Sequence, residues 1–176
     1  MASRIDPTPE GARFSARHVV LVGLFTAGAL LAGLLESRFP LPFPGMRLGL
    51  SNVFYLLALL LFGASEALCV AALRTLLLFV LTGNAFALAC SAGGLACSLP
   101  LAIFLYKTFG HTLSVPAISV ASSAAFNFGQ LGAVVLMTGE PSLFVYFPIL
   151  MLAGFFTGYA VGALADNLWR RLRRFA

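Results

Sequence analysis

Residues 19–35 read VVLVGLFTAGALLAGLL, a run without a single charged side chain. A helix needs about 20 predominantly apolar residues to cross the roughly 30 Å of hydrocarbon in a bilayer. A basic segment precedes the run, as in a secretory signal peptide. The run is longer than the apolar region of an ordinary signal peptide, and further apolar runs follow it. It therefore predicts a first transmembrane helix.

The whole chain has the composition of a membrane protein. Of its 176 residues, 60% are hydrophobic and 10% are charged, whereas soluble domains are about half apolar and a quarter charged. No strand-like alternation competes with the apolar runs. The segments long and apolar enough to span are 18–36, 49–63, 64–82, 84–106, 115–138 and 143–165. We predict an all-α integral membrane protein with a six-helix bundle.

The charged residues indicate how this bundle is oriented. The second segment is short and could merge with the third, which would leave five spans and put the termini on opposite faces. With six spans, the basic residues of one face are Arg4, Arg13, Arg17, Lys107, Arg170, Arg171, Arg173 and Arg174. The other face carries Arg38 and Arg47. The positive-inside rule therefore favours six spans and cytoplasmic termini.

The predicted organisation has three parts. A basic tail at residues 1–17 and another at 167–176 flank a membrane domain at 18–166, and the protein is expected in a bacterial cytoplasmic membrane. The formal net charge is +5, and the arginines lie at the chain ends beside apolar spans, where basic residues set the orientation of a membrane protein. No basic stripe with interleaved aromatic residues is present, so nucleic acid is not an expected partner.

The first extracytoplasmic connection is stiff. Residues 40–52 read PLPFPGMRLGLSN, and Pro40, Pro42 and Pro44 favour an extended backbone, with Gly45 allowing a turn. A restricted segment loses little entropy when it closes over a ligand. The loop chemistry supports equally a gating loop and a connector that is merely rigid.

Polar residues recur at one depth within the apolar segments. Counted along the helices at about 1.5 Å per residue, Arg74, Ser91 and Gln130 lie roughly 10–12 Å from the outer helix ends. Asn127 lies one turn from Gln130, while Asn52 and Glu36 lie near the outer boundary. A membrane-embedded arginine is costly and usually faces a cavity or a partner. The set predicts a binding site for a small polar or anionic molecule.

Two structural alternatives apply to these residues. Arg74 and Glu36 could form an internal ion pair, and the two amides could serve only as hydrogen bonds between helices. Small residues also define packing faces. Gly154, Gly158 and Gly162 form a ridge on the last segment. The first segment carries a second set of small residues: Gly28, Ala29, Ala32 and Gly33. Either intramolecular packing or docking of another membrane protein would explain this set.

Catalytic and cofactor motifs are missing from the sequence. His18 and His111 fall at the cytoplasmic edge, far from the polar layer, so no catalytic residue is assigned. There is no phosphate-binding GxxxxGK[ST] loop and no CxxCH haem motif. Cys69, Cys90 and Cys97 lie unpaired in apolar runs and are interpreted as packing residues. No metal site and no cofactor are predicted.

Several motifs resemble one known family. ESRFPLPFPGMRLGLSN, ALRTLLLFVLTGNAF, SAGGLACS, FNFGQLG and VYFPIL are similar to the Gx transporter family, often labelled heptaprenyl diphosphate synthase component I. That family is similar in fold to the substrate-binding S components of energy-coupling factor vitamin transporters. The resemblance, from about Glu36 to Gly162, implies substrate binding from the outer side. It also implies that small residues of the first span face a transmembrane coupling protein with ATPase subunits.

The sequence departs from the family pattern at two positions. Phe126 stands where the family often has a histidine, and Arg47 replaces a lysine of the proline-glycine loop. Arg47 keeps the charge and favours bidentate contact with carboxylate or phosphate, so it joins the candidate substrate-binding residues. The synthase label itself disagrees with the chemistry. Prenyl diphosphate synthases hold magnesium with aspartate-rich motifs, and the only aspartates here are Asp6 and Asp166.

Three functional hypotheses follow. The first is a substrate-binding or transport subunit for a small polar or anionic, vitamin-like metabolite, energised by a separate ATPase module. The second is a membrane subunit of a quinone- or flavin-linked electron-transfer system that docks a membrane-associated flavoprotein. The third is a purely structural helical component of an assembly.

Overall fold

A computed structural model describes residues 16–38 and 49–172 of the chain, and these residues are helical apart from short connections. The helices are α1 (Ala16–Arg38), α2 (Asn52–Leu61), α3 (Ala64–Thr82), α4 (Ala85–Phe109), α5 (Val115–Thr138) and α6 (Phe147–Leu172), with a 3-10 helix at Pro141–Tyr146 before α6. No strand occurs in the described ranges. The predicted all-α fold with six helices is confirmed.

The second helix differs from the prediction in length. Segment 49–63 was expected to span, but α2 has 10 residues, which corresponds to about 15 Å. Within the described residues, five helices are long and apolar enough to cross a membrane, and α2 is the shorter apolar one. Seven residues of α2 are buried, because it packs against α1, α3 and α6. It is an internal helix of the bundle.

Local sequence signals set the helix ends. Asn84 accepts a hydrogen bond from the Ala87 amide through its side chain at 2.9 Å and starts α4. Ser114 caps α5 in the same way, at 3.4 Å from the Ala117 amide. Gly83 and Gly139 end α3 and α5 in the left-handed conformation, with φ of 63° and 72°, which glycine adopts without steric cost.

Neighbouring helices run antiparallel. The glycine ridge of α6 lies along α5: a side chain at Gly154 would contact Asn127, one at Gly158 would contact Ser123, and one at Gly162 would contact Pro116. Contacts that advance on α6 while receding on α5 define an antiparallel pair. Short connections impose the same relation on α2 with α3 and on α3 with α4. Helix α1 therefore begins, and α6 ends, at the same end of the bundle, called here the termini end; the opposite end is the far end.

The bundle consists of two halves. Helices α1, α2 and α3 contact one another, α4 packs along α5, and α5 along α6; α3–α4 and α2–α6 contacts join the two sets. The apolar core surrounds α2 and extends towards the termini end, with Ala67 and Val70 on α3 and Val161 and Ala165 on α6. Large hydrophobic side chains such as Leu136, which is 86% exposed, cover the outside. This is the surface of a multi-pass membrane protein, in contact with the lipid bilayer.

Candidate functional site

All described members of the predicted polar layer are buried. Arg74 is 3% exposed and Gln130 is 6% exposed. The other buried members of the set are Glu36, Asn52, Ser91 and Asn127. The predicted substrate-binding Arg47 and the predicted gating residues Pro40, Pro42, Pro44 and Gly45 lie outside the described residues, so these assignments stay predictions.

The buried charged and amide side chains lie between the middle of the bundle and its far end. On α1 the apolar core residue Ala29 precedes Glu36, and on α3 Ala71 precedes Arg74. On α4, which runs the opposite way, Ser91 precedes the core residue Leu99. Small hydroxyl residues are also buried nearer the termini end, Thr26 and Ser119 among them. The charged and amide groups therefore lie towards the far end, whereas the apolar core around α2 extends towards the termini end.

Arg74 is buried against a glycine of α1. A Cβ placed on Gly33 would lie 3.4 Å from Nη2 and 3.5 Å from Nε of Arg74, so the missing side chain gives the guanidinium its space. Gly33 and Glu36 are three residues apart and share a helix face. The guanidinium therefore packs on the face of α1 that also carries Glu36.

Glu36 links α1 to the start of α2. Its Oε1 accepts a hydrogen bond from the Ser51 backbone amide at 3.2 Å, where unsatisfied amides and the helix dipole favour a carboxylate. The next residue, Asn52, is 5% exposed, and its Oδ1 has no hydrogen-bond partner. Glu36 and Asn52 therefore both lie near the far end of the bundle, and their role in binding stays a prediction.

Three polar residues of this region were missed by sequence reasoning. The Tyr55 hydroxyl lies beside Ser98 and within electrostatic range of Arg74. Ser98 is fully buried, and Thr75 is 7% exposed. Helical spacing could have indicated them, because Tyr55 follows Asn52 by three residues and Ser98 follows Ser91 by seven.

Ser91 and Gln130 have unused hydrogen-bonding capacity. The Ser91 hydroxyl is buried and has no partner. No hydrogen bond is formed by the Gln130 amide with the part of the chain that the structure describes. Burying a polar group without a hydrogen bond costs about 1–3 kcal/mol. The Ser91 hydroxyl is such a group and is suited to hydrogen bonding with a bound molecule.

Asn127 is used within the bundle. Its Nδ2 donates to the Leu150 backbone carbonyl of α6 at 2.7 Å, and its side chain packs on Gly154. Asn127 therefore serves as an interhelical hydrogen-bond donor, which was the structural alternative to ligand binding. Gln130, one turn further along α5, makes no such bond.

The small residues predicted to dock a partner contact their own chain. A side chain at Gly28 would collide with the Phe54 ring of α2, and Gly33 accommodates Arg74. Ala29 is 1% exposed, and Ala32 is half-buried. Intramolecular packing accounts for these four residues in the isolated chain, and the docking assignment stays a prediction.

The cysteines and acidic residues form no recognisable metal centre in the described ranges. No group of three or more His, Cys, Asp or Glu side chains is placed to hold a metal ion there. Cys90 is buried and Cys97 half-buried, and Cys97 faces Gly129 of α5. Asp166 pairs with Arg170 at 2.9 Å near the termini end, far from Arg74.

Comparison with known proteins supplies two matches. A family model described as heptaprenyl diphosphate synthase component I matches residues 25–168. Among solved structures, the chain is similar to the S component of a bacterial ECF transporter, with a TM-score of 0.70, 21% sequence identity, and coverage of 91% of this chain and 97% of that chain. The expected S-component-like fold is confirmed. The search of curated proteins found no match.

Proposed function

This chain belongs to the heptaprenyl diphosphate synthase component I family and has the fold of an ECF-transporter S component, and from this premise we propose that it is a substrate-binding subunit of a membrane transport system. Its substrate is a small polar or anionic metabolite. The ligand binds between the middle and the far end of the bundle. The residues proposed to contact it are Arg74, Ser91 and Gln130, with Glu36 and Asn52 at the edge of the site.

The observation that carries this proposal is a buried guanidinium that lies in the same half of the bundle as a buried, unsatisfied hydroxyl. An arginine near the centre of a membrane helix costs roughly 2.5–3.5 kcal/mol on insertion scales. The buried Ser91 hydroxyl has no hydrogen-bond partner among the described residues, and the Gln130 amide forms no hydrogen bond with them. A stable bundle would replace such groups with apolar ones unless they served a ligand.

The chemistry of these groups supports an anionic ligand. The guanidinium of Arg74 remains charged and offers several donors in one plane, which match a carboxylate or phosphate. Ser91 and Gln130 can each donate and accept. Glu36 already accepts from the Ser51 amide, so its charge is partly neutralised by the start of α2.

Energy for transport would come from another protein. The sequence has no phosphate-binding loop of the GxxxxGK[ST] type, which ATP hydrolysis by the usual route requires. We therefore assign this chain the binding step. A transmembrane coupling protein with ATPase subunits is the proposed partner.

A prenyl-transfer activity is not part of this proposal. Diphosphate binding by such synthases requires clustered aspartates that hold magnesium. The chain has only Asp6 and Asp166, and Asp166 is engaged by Arg170. The proposed role is therefore non-enzymatic, despite the family's description.

The test is retention of a ligand by the purified protein. Native mass spectrometry of protein extracted in mild detergent should show a bound small molecule, and Gln130→Ala should reduce its occupancy about tenfold or more, since a hydrogen bond to a charged group is worth about 1.5–3 kcal/mol. Ser119→Ala is the matched control. Ser119 is also buried on α5, but nearer the termini end, and its loss should leave occupancy unchanged.

Two results would contradict the proposal. In the first, Gln130→Ala and Ser119→Ala retain the molecule equally well, which places the ligand elsewhere. In the second, the protein carries no small molecule and co-purifies with a flavoprotein, which supports the electron-transfer hypothesis.

A further inference from the structure

A narrow cleft separates α3 from α4 at the far end of the bundle. Its open space is about 160 Å³ with the mouth included, and its walls are too close together to admit a water molecule. Half of its lining is polar: Thr75, Thr82, Asn84 and Ser91. Ser91 is also one of the residues proposed to contact the ligand, so the floor of the cleft adjoins the proposed ligand site.

The polar lining extends from the surface into the bundle. Thr82 and Asn84 are exposed at the mouth, whereas Thr75 is 7% exposed and Ser91 is 2% exposed. A molecule that entered between α3 and α4 would therefore meet hydrogen-bonding groups at successive depths.

The hydrogen bonds already made by these residues define what the cleft can bind. The hydroxyls of Thr75 and Thr82 donate to the carbonyls of Ala71 and Leu78, at 2.8 and 2.7 Å, so each keeps a lone pair for an incoming donor. Asn84 uses its Oδ1 to cap α4 and keeps its amide donors. The Ser91 hydroxyl has no partner and can both donate and accept.

None of the described residues that line the cleft is charged. Its remaining walls are apolar, with Phe79 and Ala87 among them. An ion placed between α3 and α4 would lose hydration without gaining a counter-charge. The cleft is therefore suited to an uncharged group that carries both donors and acceptors.

The cleft lies where the two halves of the bundle meet. Helix α4 is held closely to α5, because the backbones of Gly93 and Gly129 are in contact. By contrast, α3 and α4 are connected only by Gly83 and Asn84, and nothing lies within 4 Å of a Cβ placed on Gly83. The α3–α4 seam can widen while the α4–α5 pair stays intact.

We propose that the α3–α4 cleft opens to bind the uncharged, hydrogen-bonding part of a ligand whose anionic group lies at Arg74. This inference rests on the proposed function and specifies its substrate class. The substrate is a small organic anion that also carries a neutral hydroxyl-, amide- or imide-bearing part.

The test measures chemical access to the cleft, so it needs no identified ligand. Ser91→Cys is made in a chain in which Cys69, Cys90 and Cys97 are replaced by alanine. The probes are methyl methanethiosulfonate, which is uncharged, and its sulfonatoethyl and trimethylammonium-ethyl analogues, with rates normalised to those on free glutathione. Native Cys90, kept as the sole cysteine, is the control, because it adjoins Ser91 in sequence, is fully buried and does not line the cleft.

The uncharged probe should modify Ser91→Cys at least about tenfold faster than Cys90, as expected of a locally opening seam, and faster than either charged probe. Modification no faster than that of Cys90, or equal rates with charged probes, overturns the inference. If Ser91→Cys does not fold, the same modification rates are measured on Thr75→Cys, which lines the cleft from α3. Failure of the proposed function is recognised separately, by the absence of a co-purified molecule.

Discussion

At the scale of single residues, burying Arg74 inside the bundle carries a high free-energy cost. Gly33 makes this burial sterically possible. The bare backbone of Gly33 leaves space for the guanidinium, which packs on the face of α1 that also carries Glu36. The guanidinium could therefore form either an ion pair with Glu36 or a salt bridge with an anionic ligand. Variants that remove the charges separately and together distinguish the two roles.

We predict that Arg74→Gln lowers ligand occupancy by about 10- to 100-fold, the equivalent of a charge-assisted hydrogen bond of about 1.5–3 kcal/mol. Arg74→Lys should recover only part of it, because lysine lacks the planar pair of donors. The measurement is occupancy by native mass spectrometry. If the role is only an ion pair, the double variant Arg74→Gln/Glu36→Gln should retain the ligand like the parent, which would contradict the binding role.

The two amides of α5 should differ in effect. Asn127→Ala removes the bond to the Leu150 carbonyl and should lower the free energy of unfolding by about 0.6–1.7 kcal/mol, the range measured for hydrogen bonds between membrane helices. Ligand occupancy should be unchanged in the refolded protein. The comparison is with Gln130→Ala, for which the opposite pattern is expected. A loss of ligand in both variants would show that the amides act together.

At the scale of helices, the α4–α5 pair depends on two glycines in backbone contact. A Cβ on Gly129 would collide with the Gly93 carbonyl and lie 2.8 Å from Cys97 Sγ. Gly129→Ala should therefore destabilise the protein by about 1–3 kcal/mol, as overpacking of an interior does. Denaturant titration in detergent measures this change.

Gly132→Ala is the matched control on the same helix, because nothing lies within 4 Å of a Cβ placed there. It should be neutral or stabilise α5 by up to about 1 kcal/mol, the helix-propensity difference between glycine and alanine. Equal destabilisation by both variants would contradict the close α4–α5 contact and point to a general requirement for glycine in α5.

The helices also show what could be predicted from the sequence. Long apolar runs gave the spanning helices, because a helix in lipid must satisfy its own backbone. The internal position of α2 could not be predicted from its sequence, because apolar side chains are equally compatible with contact to lipid and contact to protein. Tyr55 and Ser98 were missed for the same reason. The spacing of Asn127 and Gln130 predicts that the two amides share a face of α5, but it does not show that Asn127 packs against Gly154 of α6.

At the scale of the whole molecule, the antiparallel sequence of helices places the start of α1 and the end of α6 at one end. The basic residues Lys107, Arg170 and Arg171 lie at or beyond helix ends on that side, so this end is predicted to be cytoplasmic. A green fluorescent protein fused after residue 176 should fluoresce, and alkaline phosphatase fused there should be inactive. Active phosphatase at that position would contradict the orientation, and with it a ligand site that opens to the outside.

The two-half architecture connects the fold to the binding proposal. The apolar core around α2 holds the termini end together, while the costly polar groups collect towards the far end, next to the α3–α4 seam. A determined structure of gently purified protein with its retained molecule tests this most directly. The account predicts density within about 3.2 Å of Gln130 and Ser91 and against the Arg74 guanidinium. A structure in which Gln130 and Ser91 bond only to other side chains, with the retained molecule elsewhere, would contradict it.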